Sequence, residues 1–383
     1  MNSVSEAPLL LRTASGGPFI IGDVIGKGSF GSVHAGWDSE TRKRVAVKVF
    51  SSAQLRQMPD GEQSLKREVA ALEATKDVGG IGHLIASAKD ARRGQTYVVL
   101  EYFGCGTIEE LLDKQGKLPV EQCKMLFSGL CTALCGLHAK GIYHRDIKSA
   151  NCLLKNAREA VLSDLGSATT DASASAIGSP AFQPPESSGK GILPDCAKAD
   201  VWSLGLVLYE MATGTSVIPP NLSIIEVLRR VAEGKIEYPE DMDPAIRKTL
   251  EGMLDKDYNT RWTAEQVMNC EWLKAETASE ESMVPFVHPV RRKTLFDDAE
   301  KMKATIKELL PDMVDEIPEI LKRLKDELRE EEGMSWSSDF DSEDTSMSDL
   351  SFSLTSAESN NVSTHSFDDS TQHQENKDTC VLM

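Results

Sequence analysis

The chain has 383 residues, of which 40% are hydrophobic, which is enough for one large domain or two modest ones with a tail. Its formal net charge of −18 argues against a general nucleic-acid-binding role, because nucleic-acid phosphates would be repelled. Eight scattered cysteines, no C-x-x-C pair and no basic-then-apolar leader predict a reducing, intracellular compartment. No apolar run approaches the roughly 20 residues that a membrane-spanning helix needs.

The predicted elements divide the chain into a β-rich part, a helical part and a charged C-terminal part. Residues 1–18 are small and polar, and we expect them to be disordered. A β-meander is predicted from Phe19 to Phe50, a helix over 62–75 and a buried strand over 97–103. Further helices are predicted at 119–140, 200–213, 222–233, 244–254 and 263–274. This order predicts an α+β fold whose two lobes share one cleft.

The composition changes after Lys274. Residues 297–332 are highly charged, with Leu, Ile and Met at helical intervals, and Pro311 and Pro318 should split any helix there. Residues 333–378 contain ten acidic residues and one lysine. Such a segment cannot bury enough apolar surface to offset its ordering entropy, so it is predicted to be disordered.

A glycine-rich segment near the start of the β-rich part is suited to nucleotide phosphates. In I-G-K-G-S-F-G-S-V, residues 25–33, the spacing of Gly26, Gly28 and Gly31 lets the backbone approach phosphates because no Cβ intervenes. The segment lies between two predicted strands, whereas a dinucleotide-binding Rossmann turn lies between a strand and a helix. A plain glycine turn within a sheet remains the alternative interpretation.

A lysine and a glutamate further along could orient the same phosphates. Lys48 ends the apolar strand motif V-A-V-K, and Glu68 lies on the following predicted helix, on the face that carries Val69 and Leu72. Paired with that glutamate, the lysine would hold the α- and β-phosphates. Taken separately, each residue is also explained as a surface charge.

Two polar motifs in the helical part fit phosphoryl transfer. In H-R-D-I-K-S-A-N, Asp146 can accept a hydroxyl proton, and the amide oxygen of Asn151 can ligate magnesium. Lys148 lies between them and can neutralise a migrating phosphoryl group. In S-D-L-G, Asp164 adds a second carboxylate that can bind a bridging metal ion. Each motif alone could be a turn, but their order and spacing together favour one site.

Together these motifs resemble those of the eukaryotic protein kinases over residues 19–274. The resemblance implies a bilobal kinase fold with a β-rich N-lobe and a helical C-lobe, and ATP with Mg²⁺ or Mn²⁺ as cofactors. The implied ATP-site residues are Ile25, Gly26, Gly28, Gly31, Val33, Ala46, Lys48, Glu68, Glu101, Phe103 and Leu153. Asp146 and Lys148 would be catalytic, and Asn151 and Asp164 would bind the metal.

The segment G-S-P-A-F-Q-P-P-E, residues 178–186, is too rich in proline for the interior of a helix or strand. The resemblance implies that it is a ledge that receives the substrate peptide just past the phosphoacceptor. Ser179 would hydrogen-bond Asp146 and Lys148. A lysine two residues after the catalytic aspartate is of the serine/threonine type rather than the tyrosine type.

Two structural contacts follow from the same resemblance: Asp200 would tie down the catalytic loop, and Arg261 would pair with Glu186. The chain departs from the family pattern at two places. Leu165 gives D-L-G where the family usually has D-F-G, and P-P-E stands where the family usually has A-P-E. No phosphate- or metal-binding position is lost. An active protein kinase is therefore favoured over a partner-binding pseudokinase scaffold, and the peptide ledge disfavours a small-molecule phosphotransferase.

Several stretches are similar to the liver kinase B family, among them S-D-L-G, the ledge, M-P-D-G-E (58–62), E-Y-F-G-C-G (101–106) and V-P-F (284–286). This similarity implies, as substrates, activation-loop threonines of AMPK-related kinases, in cell polarity, growth and energy control. It also implies activation by a STRAD-type pseudokinase and a helical-repeat scaffold. Arg145 stands where this family is expected to have lysine, and such an arginine often pairs with a loop phosphate. Control by phosphorylation of the loop at 167–179 therefore stays open.

The C-terminal part carries two possible modification motifs. The last four residues, C-V-L-M, form a C-a-a-X box that predicts farnesylation of Cys380. Because one lipid binds membranes only marginally and the neighbours are acidic, we expect a cytoplasmic protein with weak membrane contact, and a nuclear pool is left open. In R-R-K-T-L-F, residues 291–296, Thr294 could be phosphorylated by a kinase directed by basic residues, or the bases could contact the acidic tail.

Overall fold

The computed structural model describes residues 8–14, 16–28, 31–58, 60–188, 191–275 and 294–332. These residues form a β-rich small lobe, a helical large lobe and a C-terminal flank, which we define as residues 294–332. Within them no helix is both long and apolar enough to cross a membrane. The predicted disordered tail from residue 333 and the farnesylation motif at Cys380 lie outside the described residues.

The small lobe is built on a six-stranded antiparallel sheet in the order β1-β2-β3-β4-β6-β5. Its strands are β1 (Leu9–Leu11), β2 (Phe19–Gly28), β3 (Gly31–Asp38), β4 (Lys43–Ser51), β5 (Leu84–Asp90) and β6 (Gln95–Glu101). The meander predicted over residues 19–50 is confirmed as β2, β3 and β4. The strand predicted over 97–103 is confirmed as β6, although it begins and ends two residues earlier.

The prediction that residues 1–18 are disordered is wrong for β1. Leu9 and Leu11 pair with Ile21 and Phe19 of β2, and the side chain of Leu11 is buried. The run of three leucines lies between small and polar residues, so the composition averaged over residues 1–18 does not reveal this apolar stretch. Pairing with an edge strand supplies the contacts that so short a strand lacks by itself.

Side-chain alternation along β4 places the lysine of the predicted site. Val45, Val47 and Val49 point to one face, where they are buried among apolar residues of β2 and β6. Ala46 and Lys48 therefore point to the opposite face, because successive side chains of a strand alternate. That face looks into the cleft between the lobes.

Helices account for most of the large lobe, as predicted. The helices of the small lobe are α1 (Ser52–Gln57) and α2 (Gly61–Ala74). Those of the large lobe are α3 (Ile108–Gln115), α4 (Val120–Ala139), α5 (Cys196–Thr213), α6 (Ile224–Glu233), α7 (Pro244–Met253), α8 (Ala264–Met268) and α9 (Glu271–Lys274). The helix predicted over 263–274 is thus two short helices. Short strands β7 (Cys152–Leu154) and β8 (Ala160–Leu162) pair under the cleft, and β9 (Ala174–Ser175) pairs with β10 (Ile192–Leu193).

The C-terminal flank folds back onto the small lobe. It contains α10 (Ala299–Leu309) and α11 (Ile317–Glu332), and the 3₁₀ segment Pro311–Glu316 separates them. The predicted split at the two prolines is therefore confirmed. Apolar side chains of the flank form one cluster with Ile20 of β2 and with Ala35 and Trp37 of β3.

Charge pairs fasten the 3₁₀ segment and α11 of the flank to the same lobe. Arg42 pairs with Glu316 and, at 3.2 Å, with Glu319, and Arg44 lies 3.3 Å from Glu327. Each arginine is less exposed than its glutamate partners, so these pairs are screened less than pairs between fully exposed charges. The flank is thus a structural part of the small lobe.

We predict that Phe296→Ala lowers the free energy of unfolding by about 3–5 kcal/mol, the usual cost of emptying a buried aromatic site. Phe296 is 2% exposed, and its ring lies so close to β2 that a Cβ at Gly22 would come within 3.1 Å of it. Val314→Ala in the same flank is the control, because Val314 is 36% exposed. Urea unfolding of both variants is the measurement, and equal midpoints would contradict a packed flank.

Candidate active site

A buried carboxylate, that of Asp200, holds the catalytic loop at His144 and Arg145, as the sequence predicted. Asp200 of α5 is fully buried and accepts hydrogen bonds from the backbone N–H groups of His144 and Arg145, both at 2.8 Å. His138 of α4 also lies 3.0 Å from this carboxylate. The His144 ring in turn contacts the carbonyl oxygen of Ser163 at 3.0 Å, which joins the loop to the segment that carries Asp164.

Asp146 is held between the ledge and Lys148. One carboxylate oxygen accepts the backbone N–H of Ser179 at 2.8 Å, and the other lies 3.3 Å from the ammonium of Lys148. Lys148 also donates to the Ser179 hydroxyl at 2.9 Å. The predicted contacts of Ser179 are therefore present, with the backbone rather than the hydroxyl binding Asp146.

Gly178 allows this close approach of the ledge. Its φ is +91°, and a Cβ there would lie 2.5 Å from the Arg145 carbonyl oxygen and 2.7 Å from a carboxylate oxygen of Asp146. Any larger residue would push the ledge away from the catalytic carboxylate, and an L residue would be strained in this conformation. The glycine before Ser179 is therefore required by geometry.

A buried ion triad joins three elements at the back of the cleft. The ammonium of Lys48 lies 2.7 Å from the carboxylate of Glu68 on α2 and 2.7 Å from that of Asp164. Burial alone would lower the pKa of Lys48, but the two carboxylates outweigh it and raise that pKa. Burial likewise opposes ionisation of Asp164, and Lys48 still lowers the pKa of this carboxyl. In Glu68 burial dominates and the pKa is raised.

Asn151 presents a free acceptor beside this triad, which fits a bound divalent ion. Its side-chain N–H group donates to the backbone oxygen of Asp146 at 2.8 Å and to the carboxylate of that residue at 3.1 Å. Its Oδ1 is buried, and among the described residues it has no hydrogen-bond partner. A buried acceptor without a donor is costly, and oxygen ligands are those that Mg²⁺ prefers. Asn151 and Asp164 would therefore hold the metal.

The cleft between the lobes forms a pocket that could hold a nucleotide. Nine predicted residues line it: Ile25, Val33, Ala46, Lys48, Glu68, Glu101, Phe103, Leu153 and Asp164. The lining also includes residues that the sequence did not single out, notably Gly82, Tyr102, Gly106, Thr107, Glu110 and Ser163. Asn151 is not part of this lining, and neither are the catalytic residues and Ser179.

Two of these additional cleft-lining residues could have been predicted from a helix-capping motif in the sequence. Thr107 and Glu110 form a capping box at the start of α3, with the Thr107 hydroxyl accepting from the Glu110 N–H and the Glu110 carboxylate accepting from the Thr107 N–H. The spacing T-x-x-E before an apolar run predicts this motif. It fixes the start of the helix that follows the cleft-lining segment.

The glycine-rich segment forms the hairpin between β2 and β3. Gly26 pairs with Val33, and Gly28 pairs with Gly31, while residues 29 and 30 lie outside the described residues. A Cβ on Gly31 would overlap the carbonyl oxygen of Val49 in β4. Sheet packing therefore requires this glycine. Approach of the hairpin to nucleotide phosphates stays a prediction.

Two arginines hold the segment that runs from Asp164 to the ledge. The fully buried Arg261 forms a bidentate pair with Glu186, at 2.7 and 2.9 Å, as predicted. Arg145 donates to the carbonyl oxygens of Ser167 and Ser175, at 2.9 and 3.1 Å. Its guanidinium thus holds the segment by the backbone, at the position from which a loop phosphate could also be bound.

Comparison with known proteins agrees with this architecture. Residues 19–273 match the family model described as protein kinase domain, and the chain belongs to the protein kinase family.

Within that family the chain is similar to STK11, which is liver kinase B. It is 34% identical to the serine/threonine-protein kinase STK11 of Gallus gallus over 278 residues, 70% of this chain and 62% of the relative. Identity to the Homo sapiens STK11 is 33% over 70% of this chain and 64% of the relative. Identity to the Dictyostelium discoideum stk11 homologue is 33%, over 70% of this chain and 47% of the relative. The chain thus spans less than two thirds of the length of these relatives.

We predict that Asp164→Asn removes most of the Mg²⁺-dependent stabilisation of the chain by ATP, because the amide cannot neutralise a divalent ion. Ligand at 100 times its Kd should stabilise the unchanged chain by about 2.7 kcal/mol. Thermal unfolding with ATP, with and without Mg²⁺, measures the difference. Asp241→Asn is the control, since that carboxylate is exposed and pairs with Lys117 at the surface. An undiminished Mg²⁺ effect in Asp164→Asn would contradict the assignment.

Proposed function

We propose that the chain is a serine/threonine protein kinase that transfers the γ-phosphoryl group of ATP, bound with Mg²⁺, to protein hydroxyls. The observation that carries the proposal is the placement of Asp146, whose carboxylate is held by the ledge at Ser179 and accompanied by Lys148. The proposed base Asp146, the cation Lys148 and the ledge at Ser179 are thus in direct contact. The relatives named serine/threonine-protein kinase support the same activity.

The residues of the site divide the work of an in-line transfer, in which positioning and charge neutralisation supply most of the catalysis. Bound MgATP supplies the phosphoryl group and positive charge beside it. Asp146 orients the acceptor hydroxyl and accepts its proton, and Lys148 neutralises charge on the migrating group. Lys48, oriented by Glu68, binds the α- and β-phosphates.

The surface next to Asp146 supports a polypeptide acceptor rather than a small molecule. Ile177 is 39% exposed immediately before the ledge, and Ile192 on β10 is 48% exposed. A backbone hydrogen bond from Ala176 to the Gly191 carbonyl places these two stretches side by side. Exposed apolar side chains that adjoin a catalytic carboxylate are typical of a surface that binds a protein segment.

For the substrates and partners we propose those implied by the liver kinase B resemblance. The acceptors would be activation-loop threonines of AMPK-related kinases, and a STRAD-type pseudokinase with a helical-repeat scaffold would activate the chain. The choice of Mg²⁺ over Mn²⁺ belongs to the same proposal. A catalytically silent scaffold is the alternative, and the intact Lys48, Asp146 and Asp164 argue against it.

We predict that Asp146→Asn lowers phosphoryl transfer about 10²- to 10⁴-fold, because the amide cannot accept the hydroxyl proton. The assay follows ATP-dependent phosphorylation of an AMPK activation-loop peptide by the full chain, with and without the pseudokinase and scaffold. Matched peptides carry serine or tyrosine in place of the threonine. Asp241→Asn is again the surface control.

The outcomes of this assay separate the proposals. Transfer to a generic serine/threonine peptide but not to the AMPK peptide would keep the activity and remove the substrate proposal. Transfer only to the tyrosine peptide would remove the serine/threonine assignment. No transfer in any mixture, with MgATP still stabilising the chain, would favour the scaffold.

We also propose that Cys380 is farnesylated and gives a cytoplasmic protein weak membrane contact, on the basis of the C-V-L-M motif alone. Cys380→Ser should then abolish a farnesyl mass increment and shift the membrane-bound fraction to the soluble one. Cys135→Ser, at a partly accessible cysteine of α4, is the control. Identical mass and fractionation of Cys380→Ser and the unchanged chain would remove this proposal.

A further inference from the structure

The first turn of the C-terminal flank contains a threonine that follows a run of basic residues. Thr294 follows three consecutive bases, Arg291, Arg292 and Lys293. Many protein kinases select their acceptors by charge patterns of this kind. The catalytic site described above does not use this motif, because Thr294 lies in the flank.

The Thr294 hydroxyl closes the turn that begins the flank. Thr294 is 7% exposed; its hydroxyl donates to the Asp297 carboxylate at 3.0 Å, and its backbone N–H donates to the same oxygen at 2.6 Å. The next residue, Leu295, donates its backbone N–H to the carboxylate of Asp23 on β2 at 2.6 Å. Two carboxylates therefore accept from consecutive residues of the turn.

The turn is also where the flank joins the small lobe. Leu295 and Phe296 are buried against β2, and with Trp37 they belong to the apolar cluster that the flank shares with the sheet. Ile25, which lines the cleft, packs at the edge of the same cluster. A change at Thr294 therefore acts on the contact between the flank and the wall of the ATP cleft.

We propose that Thr294 is a phosphorylation site and that its modification holds the flank off the small lobe. A kinase directed by basic residues would transfer the γ-phosphoryl group of MgATP to Thr294 Oγ1. The hydroxyl proton passes to that kinase, and ADP leaves. The product carries about −1.5 to −2 charge in place of a hydroxyl that donated to Asp297.

Electrostatics oppose return of the modified turn to its docked position. The phosphate would stand beside Asp297, and Asp23 binds the next residue, Leu295. Like charges at hydrogen-bond distance repel strongly where burial reduces screening. Because Thr294 is buried, it becomes accessible when the flank opens locally, and modification then prevents closure. Phosphorylation thus traps a minor open state instead of forcing open the closed one.

The first test is modification itself. Full-length Asp146→Asn chain, which cannot supply the phosphate by its own base, is incubated with MgATP and the catalytic subunit of cyclic-AMP-dependent protein kinase. Mass spectrometry should find phosphate on Thr294, and Phe296→Ala in the same background should accelerate its incorporation by loosening the flank. Absence of phosphate on Thr294 in both chains overturns the proposal.

The second test follows docking by hydrogen exchange of the amides of α10. In the phosphorylated chain and in Thr294→Glu they should exchange about tenfold faster, as a loss of ~1.4 kcal/mol of docking free energy requires. Phosphatase treatment should restore the slow exchange of the phosphorylated chain. Thr294→Val is the matched control, since it removes the hydroxyl without adding charge.

A double variant separates charge repulsion from loss of the turn. If repulsion by Asp297 is the cause, Asp297→Asn should speed exchange less in the Thr294→Glu background than in the unchanged chain. Exchange in Thr294→Glu equal to that in Thr294→Val would show that charge has no effect, and the proposal fails. Phosphate on Thr294 with unchanged exchange would leave the bases as a contact for the acidic tail and would also overturn it.

Discussion

The contact on which the site depends most is the buried triad of Lys48, Glu68 and Asp164. A buried charge costs several kcal/mol unless it is paired, so none of the three side chains is stable there without the others. They come from β4, from α2 and from the segment after β8, and these elements must therefore meet at one point. The triad therefore fixes how closely β4 and α2 of the small lobe approach the segment that carries Asp164.

Two residues of the site adopt backbone conformations that are unfavourable for their type. Arg145 and Asp164 have φ values of +63° and +64°. Conformations of this kind persist only where surrounding contacts outweigh their cost. Here Asp200 holds the N–H of Arg145, and the ion triad holds the side chain of Asp164. The catalytic loop and the metal-binding segment are therefore pre-organised by side chains on α5 and β4 rather than by the loops themselves.

What could be predicted from the sequence follows from the range of each interaction. Asp146, Lys148 and Asn151 lie within six residues of one another, and local spacing alone indicates their chemistry. The pairing of Lys48 with Glu68 could be proposed because helix and strand periodicity orient both side chains. The docking of the flank could not, since it depends on apolar surfaces of β2 and β3 far away in sequence. The pairing of β1 could not either, since three residues are too few to show a periodicity of their own. Local composition instead suggested disorder for residues 9–11.

Because the flank packs on the small lobe, the end of the kinase-family match and the end of the folded unit are different in this chain. The match to the protein kinase family ends at residue 273, whereas residues of α10 and α11 complete the small lobe. A chain cut after α9 would leave Ile20, Ala35 and Trp37 without their cover, and an exposed apolar surface of this kind promotes self-association. The folded unit therefore extends to α11, and two helices that are synthesised after the large lobe complete the lobe that is synthesised before it.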